Sequence, residues 1–135
     1  MRALGLDIGD RYIGVSISDP LGILARPLAI LERGQPDLDY VAIDCLVKKY
    51  SIERVVVGLP RLWDGTLGVQ AEKVELFAER ILERSDVPIV YQDERFSTAA
   101  ARDIIKSRKR QGASQRDDAV AAAIILQDYL DEHRR

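Results

Sequence analysis

The chain has 135 residues, of which 47% are hydrophobic and 31% are charged, and its formal net charge is −2. This length predicts one domain over residues 1–135, and no apolar run approaches the roughly 20 residues of a membrane span. The single cysteine, Cys45, excludes an internal disulfide framework. We therefore expect a cytoplasmic globular protein that does not contact a membrane.

The charge is unevenly distributed along the chain. The segment "RDIIKSRKRQGASQR", residues 102–116, contains six Lys or Arg residues and one Asp, so the rest of the chain carries −7. A concentrated basic segment on an acidic body indicates a binding surface for a polyanion. A solvated helix face is the alternative interpretation.

The first 31 residues are predicted to form three strands. Two apolar runs flank Gly9 and Asp10, a two-residue turn typical of hairpins. In the second run, residues 12–18, apolar residues alternate with small ones, which predicts a half-buried strand. A third strand is expected over residues 24–31, after a turn at residues 20–22.

The rest of the chain alternates between helices and strands. In order, we predict a helix over 37–50 capped by Asp37, the buried strand "RVVVGLP", a helix over 69–84, the buried strand "PIVYQDE", a helix capped by Ser97 or Thr98, and a last helix over 115–133. The apolar positions at helical spacing are Leu38, Val41, Cys45 and Leu46 in the first helix, and Val74, Phe77, Ala78 and Ile81 in the second. This order predicts an α/β fold, a mixed sheet with helices on its faces.

Three carboxylates stand at unusual places in this pattern. Asp7 interrupts the first strand, on the same side as Ala3 and Gly5. Glu94 follows the "PIVY" strand, and Asp118 directly precedes the apolar run "AVAAAIIL" of the last helix. A buried carboxylate is costly unless it is paired, hydrogen-bonded or bound to a cation. We interpret the three acids as ligands of a shared Mg²⁺ or Mn²⁺, ions that favour carboxylate oxygens.

Each acid also has an ordinary structural interpretation, and spacing alone does not decide between the two. Asp7 is placed to cap the turn that follows it, and Glu94 to pair with Arg95 or Arg116. Asp118 is placed to interact with the positive end of the last helix dipole.

The chain has one histidine, His133, near its end and one cysteine, Cys45, on a predicted helix face. This distribution argues against a Ser-His-Asp or Cys-His nucleophile and against a zinc site built from Cys and His. If the protein is an enzyme, carboxylates and cations carry its chemistry.

Four segments considered together resemble one known family. "GLDIGDRYIGVSISD", "VVVGLPRLWDGTLG", "YQDERFST" and "RDDAVAAAIILQDYL" occur in this order and span nearly the whole chain. They are similar to the motifs of the YqgF family, described as RuvX-like Holliday junction resolvases and pre-16S rRNA nucleases. The resemblance implies a single RNase H-like domain: a five-stranded mixed sheet, its first three strands antiparallel, flanked by helices.

The resemblance also implies an active site and an activity. Carried over by motif, the catalytic and metal-binding residues are Asp7, Glu94 and Asp118, with Asp117 beside the last, and they hold one or two Mg²⁺ or Mn²⁺ ions about 4 Å apart. The implied activity is hydrolysis of phosphodiester bonds, in 5′-end processing of pre-16S rRNA during ribosome biogenesis. A Holliday junction resolvase or other DNA-repair nuclease is the first alternative, and a non-catalytic nucleic-acid-binding module the second.

A phosphotransferase of the actin and sugar-kinase type is a further rival, because "DIGDRYIG" resembles the first phosphate-binding hairpin of those proteins. That site requires a second Asp-x-Gly hairpin, which this sequence lacks.

The expected partner is nucleic acid, either an rRNA precursor or branched DNA, together with pre-ribosomal particles, and the expected state is a monomer or weak homodimer. Basic residues contact the phosphate backbone and an aromatic face stacks an unpaired base. The predicted nucleic-acid-binding residues are Arg11, Trp63, Arg95, Lys106, Arg108, Lys109, Arg110 and Arg116.

Overall fold

The computed structural model describes residues 1–60, 67–93 and 116–133, with only the backbone at 116 and 117. Its elements are β1 (Ala3–Ile8), β2 (Tyr12–Ser18), β3 (Ala25–Glu32), α1 (Pro36–Lys49), β4 (Arg54–Leu59), α2 (Val69–Arg84), β5 (Ile89–Asp93) and α3 (Arg116–Glu132). None of these helices combines the length and the hydropathy that a bilayer span requires. The predicted helix that Ser97 or Thr98 would cap lies outside the described residues.

The five strands form one sheet in the order β3-β2-β1-β4-β5. β2 is antiparallel to both β1 and β3, whereas β4 is parallel to both β1 and β5. The predicted mixed sheet with three antiparallel strands at its start is therefore confirmed. The helices cover both faces, so that β4 is buried along almost its whole length, as its β-branched run predicts.

Two apolar clusters fill the space between the sheet and its helices. The larger lies between the sheet and helices α1 and α2, where Ile43, Val47 and Phe77 pack against strand residues such as Leu6 and Val57. The second lies under α3 on the opposite face, and its buried residues are Ala3, Val56, Ile125, Leu126, Tyr129 and Leu130. Burial of this apolar surface on both faces is the main stabilising contribution to the fold.

Helix α2 has the predicted bounds and the predicted inward face, since Val74, Phe77, Ala78 and Ile81 are all buried. Helix α1 differs from its prediction in two respects. It begins one residue earlier, at Pro36, and its N-cap is Gln35, which makes no side-chain capping hydrogen bond. Proline is favoured in the first helical turn because the N–H that it lacks would have no intrahelical partner there.

The apolar spacing predicted for α1 coincides only in part with its buried face. Leu46 packs against the larger cluster. Leu38 is 63% exposed, and Val41 and Cys45 are also exposed. The helix is buried at Ile43 and Val47. Apolar residues are distributed around the whole of this helix, so the spacing was compatible with two orientations. The tertiary contacts selected the face that carries the β-branched pair.

The prediction of a half-buried β2 implied that its small residues face solvent. The structure shows that they do not. Ser16 and Ser18 are fully buried, because α3 lies directly on their face of the sheet. The Ser16 hydroxyl donates a hydrogen bond of 2.7 Å to the carbonyl oxygen of Ala122 in α3. A Cβ atom added at Gly14 would overlap the backbone carbonyl of Asp118. The small side chains on this face of β2 allow the backbone of α3 to approach the strand.

Substitution of Gly14 by Ala is therefore expected to displace the start of α3 and to lower the free energy of unfolding by about 1–3 kcal/mol, as overpacking does. Gly34→Ala is the matched control, because a Cβ atom there would meet nothing within 4 Å. Urea denaturation followed by circular dichroism measures both variants. Equal stability of the two would contradict the close contact between α3 and β2.

Candidate functional site

Asp7 lies near the carboxyl end of β1, directly opposite Gly14 on β2. Side chains alternate between the two faces of a strand, so Asp7 shares its face with Ala3 and Gly5. Ala3 packs in the cluster beneath α3, and a Cβ atom at Gly5 would meet Leu126 of α3. The half-buried carboxylate of Asp7 therefore belongs to the face that α3 covers, as the sequence predicts.

Asp118 lies in the first turn of α3 and is half-buried. Its backbone carbonyl sits over Gly14, the cross-strand partner of Asp7. Asp118, Ala122 and Leu126 are spaced four residues apart and form one line along the helix, and this line runs over β1 and β2. The structure thus brings two of the three predicted acids to the same face and the same end of the sheet.

Glu94, the third predicted acid, lies outside the described residues. The described chain reaches Asp93, the last residue of β5, which pairs with Leu59 at the end of β4. Because β1, β4 and β5 are parallel, their carboxyl ends share the sheet edge at which Asp7 lies. Within the described residues no group of three His, Cys, Asp or Glu side chains is arranged to hold a metal.

Arg11 is the one predicted nucleic-acid-binding residue whose side chain is described. It is exposed on the β1–β2 turn, four residues after Asp7, and its guanidinium carbon lies 5.6 Å from the centroid of the Tyr12 ring. The others lie outside the described residues: Trp63, Arg95, Lys106, Arg108, Lys109, Arg110 and the side chain of Arg116. The exposed turn places a cation at the same end of the sheet as the two acids.

Among the described side chains, the potential metal ligands at this end of the sheet are carboxylate oxygens. His133 lies just beyond the opposite end of α3, where its ring stacks on Tyr129 with 4.1 Å between centroids, and Cys45 is exposed on α1. Two carboxylates without histidine or thiolate suit Mg²⁺ or Mn²⁺ rather than zinc. The residues present therefore fit the metal that the sequence predicts.

Helix α3 carries a group of acidic residues near its carboxyl end. Asp128, Asp131 and Glu132 lie towards its carboxyl end, and no basic residue occupies its last turn. Burial raises the pKa of the Asp128 carboxyl, and the negative charges of Glu132 and Asp131 raise that pKa further. The carboxyl end of α3 is therefore strongly acidic.

Sequence reasoning missed a group of charged residues around the β1–β2 turn. Arg33 donates a hydrogen bond of 2.9 Å to the Gly9 carbonyl, and Lys73 of α2 lies 3.6 Å from the Asp10 carboxylate. Asp39, which faces Arg33, is buried although it lies in the first turn of a helix. An acid at that position is usual for its interaction with the helix dipole, so no pattern in the sequence indicated its burial.

Comparison with known proteins agrees with this architecture. The family model described as "RuvX: Holliday junction resolvase" matches residues 1–132. A protein of Dehalococcoides mccartyi named "Putative pre-16S rRNA nuclease" is 46% identical over 125 residues, covering 93% of this chain and 94% of the relative. A protein of Desulforamulus reducens with the same name is 44% identical over 133 residues, with 97% of both chains covered.

Among solved structures, Thermus thermophilus RuvC in complex with a Holliday junction substrate is similar in fold. Its TM-score is 0.66 at 18% identity, and the match covers 98% of this chain and 94% of the RuvC chain. The structural match establishes the RuvC-type, RNase H-like fold that the sequence motifs predicted. The family model and the full-length relatives go further, and the chain belongs to the RuvX (YqgF) family.

Proposed function

We propose that this protein is a metal-dependent nuclease that hydrolyses phosphodiester bonds in the 5′ region of pre-16S rRNA. The observation that carries the proposal is the convergence of Asp7 and Asp118, which come from opposite ends of the chain, on one face of the sheet beside Gly14. A half-buried carboxylate is costly unless it is paired or hydrogen-bonded, and a bound cation offsets this cost as well.

In this proposal, Asp7 and Asp118 hold Mg²⁺ or Mn²⁺, and Glu94 completes the ligand set. Glu94 follows Asp93 directly in the sequence, and Asp93 ends β5 at the same sheet edge as Asp7. When bound, the metal neutralises charge on the phosphodiester and acts as a Lewis acid for attack by water. The protein supplies the rigid arrangement: Asp7 is fixed by the strand ladder and Asp118 by the helix packed against Gly14.

The nucleic acid is proposed to enter past the β1–β2 turn, where Arg11 is exposed. The basic residues 106–116, with Arg95, grip the backbone on either side of the site, and Trp63 stacks an unpaired base. The acidic carboxyl end of α3 repels the polyanion and so favours one direction of approach.

The substrate assignment rests on the names of the relatives, which specify pre-16S rRNA. We place the protein in the cytoplasm with pre-ribosomal particles, acting as one nuclease domain over residues 1–135, as a monomer or weak homodimer. Resolution of Holliday junctions is the second candidate, because the family description specifies it. That reaction requires paired active sites and hence a symmetric dimer.

Replacement of Asp7 by Asn is expected to abolish Mn²⁺-dependent cleavage of a pre-16S rRNA fragment, because the amide removes a charged ligand while preserving the shape of the side chain. Asp10→Asn is the matched control: it removes the same charge three residues away, from an exposed acid that pairs with Lys73. A gel-based cleavage assay at several Mn²⁺ concentrations measures both variants.

Cleavage by the Asp7 variant at the wild-type rate would overturn the assignment of the catalytic site. The same assay on a four-way DNA junction separates the two candidate substrates. Binding of RNA without cleavage by the wild-type protein would support the non-catalytic module.

Replacement of Lys106, Arg108 and Lys109 by Ala is expected to weaken RNA binding and to reduce its salt dependence. The plot of log K against log salt has a negative slope, and the loss of three phosphate contacts reduces its magnitude by roughly 2 for single-stranded RNA. The matched control replaces three basic residues of α1 and α2 by Ala, namely Lys48, Lys49 and Arg80. Fluorescence anisotropy in the Asp7→Asn background measures binding without cleavage, and an unchanged slope would identify residues 106–109 as a merely solvated surface.

A further inference from the structure

We propose that Arg33 is a positioning residue that, held by the buried Asp39, fixes the β1–β2 turn and thereby the metal-binding carboxylate of Asp7. Arg33 itself touches neither the metal site nor the substrate. This inference rests on the proposed function, because it assigns Asp7 to the metal. It adds a structural support on the sheet face opposite to the one that carries the acids.

Arg33 follows β3 and contacts three separate parts of the fold: the β1–β2 turn, helix α2 and, through Asp39, helix α1. Its Nη1 donates to the Gly9 carbonyl oxygen at 2.9 Å, and its backbone N–H donates to the Arg11 carbonyl oxygen at 2.8 Å. Its guanidinium carbon lies 4.8 Å from the centroid of the Phe77 ring of α2. With 26% of its side chain exposed, Arg33 is anchored to the core at the point where it holds the turn.

Asp39 keeps the guanidinium in this place. The Asp39 side chain is 7% exposed, its Oδ2 lies 3.7 Å from Arg33 Nε, and its Oδ1 accepts a hydrogen bond from the Gly34 N–H at 3.2 Å. Among the described residues Oδ2 has no hydrogen-bond partner. A buried ion pair with such long geometry recovers little of its desolvation cost. Its value is therefore geometric, because it directs the guanidinium towards the turn.

The turn that Arg33 holds is short and tightly closed. The Gly9 N–H donates to the Tyr12 carbonyl oxygen at 3.0 Å, and a Cβ atom at Gly9 would lie 2.9 Å from that oxygen. Asp7 is two residues before this closure and pairs with Gly14. A shift of the turn therefore displaces Asp7 relative to Asp118, which α3 holds separately.

A second cation contacts the same turn but holds it weakly. Lys73 lies 3.6 Å from Asp10, with the two side chains 58% and 71% exposed. Exposed ion pairs of this kind contribute little because solvent screens them. Lys73 is thus a matched control for Arg33, since both are cations on one turn and only Arg33 is anchored by a buried acid.

The test compares Arg33→Met, Arg33→Lys and Asp39→Asn with Lys73→Met. Mn²⁺ binding is measured by the electron paramagnetic resonance signal of free Mn²⁺, without substrate. We expect about 10-fold weaker binding for Arg33→Met and Asp39→Asn, as for outer groups that orient metal ligands, and no change for Lys73→Met. The Arg33→Met and Asp39→Asn effects should not add in the double variant, because both break one unit.

A second measurement is independent of the metal. The Gly9 N–H donates a hydrogen bond to the Tyr12 carbonyl oxygen. Hydrogen exchange of this amide is expected to accelerate in Arg33→Met and to stay unchanged in Lys73→Met. If Arg33→Met does not fold, Arg33→Lys and Asp39→Asn provide the same two readouts. Lysine retains the charge but not the fork that reaches both Gly9 and Asp39.

Faster Gly9 exchange together with weaker Mn²⁺ binding supports the proposal. Unchanged exchange in a folded variant overturns it, and so does faster exchange with unaltered Mn²⁺ affinity. The Asp7→Asn variant distinguishes these failures from a failure of the proposed function. If Asp7→Asn also binds Mn²⁺ as the wild type does, the metal site itself is wrong and the positioning role falls with it.

Discussion

The direct contact between α3 and the small residues of β1 and β2 is the constraint on which the site depends. Gly5, Gly14 and Ser16 present almost no side-chain volume, so the helix backbone rests on the sheet. Elsewhere large side chains separate helix from sheet, as Phe77 does beneath α2. A large side chain in place of Gly14 would push the first turn of α3 away from the sheet, and Asp118 would then lie farther from Asp7.

This contact explains why a charged residue is tolerated in a central strand. Asp7 occupies the one end of β1 at which the covering helix begins, so that its carboxylate reaches the rim of the sheet rather than the apolar cluster under Ile125 and Leu126. The positive end of the α3 dipole also lies there and favours negative charge.

The opposite face of the sheet supports the same hairpin by different means. There α1 and α2 contribute Asp39 and Phe77, and both contact Arg33 where it bonds to the Gly9 carbonyl. The β1–β2 turn is thus held by contacts on the sheet face that α1 and α2 cover. Asp7, just before this turn, lies on the opposite face, which α3 covers. The relative position of the two acids then depends on both layers of helices, although neither α1 nor α2 contributes a residue to the proposed metal site.

The sequence by itself determined the family and most of the helices and strands in the described part of the chain. Alternation and β-branched runs located the strands, helical spacing gave the bounds of α2 without error, and the side of β1 that carries Asp7 followed from the two-residue period. Four ordered motifs predicted the RNase H-like fold and the membership of the RuvX family. Only the tertiary structure decided which layer each face contacts. It left Leu38 of α1 exposed and buried Ser16 and Asp39. Periodicity reports which residues share a face, whereas the partner of that face depends on contacts between segments far apart in the chain.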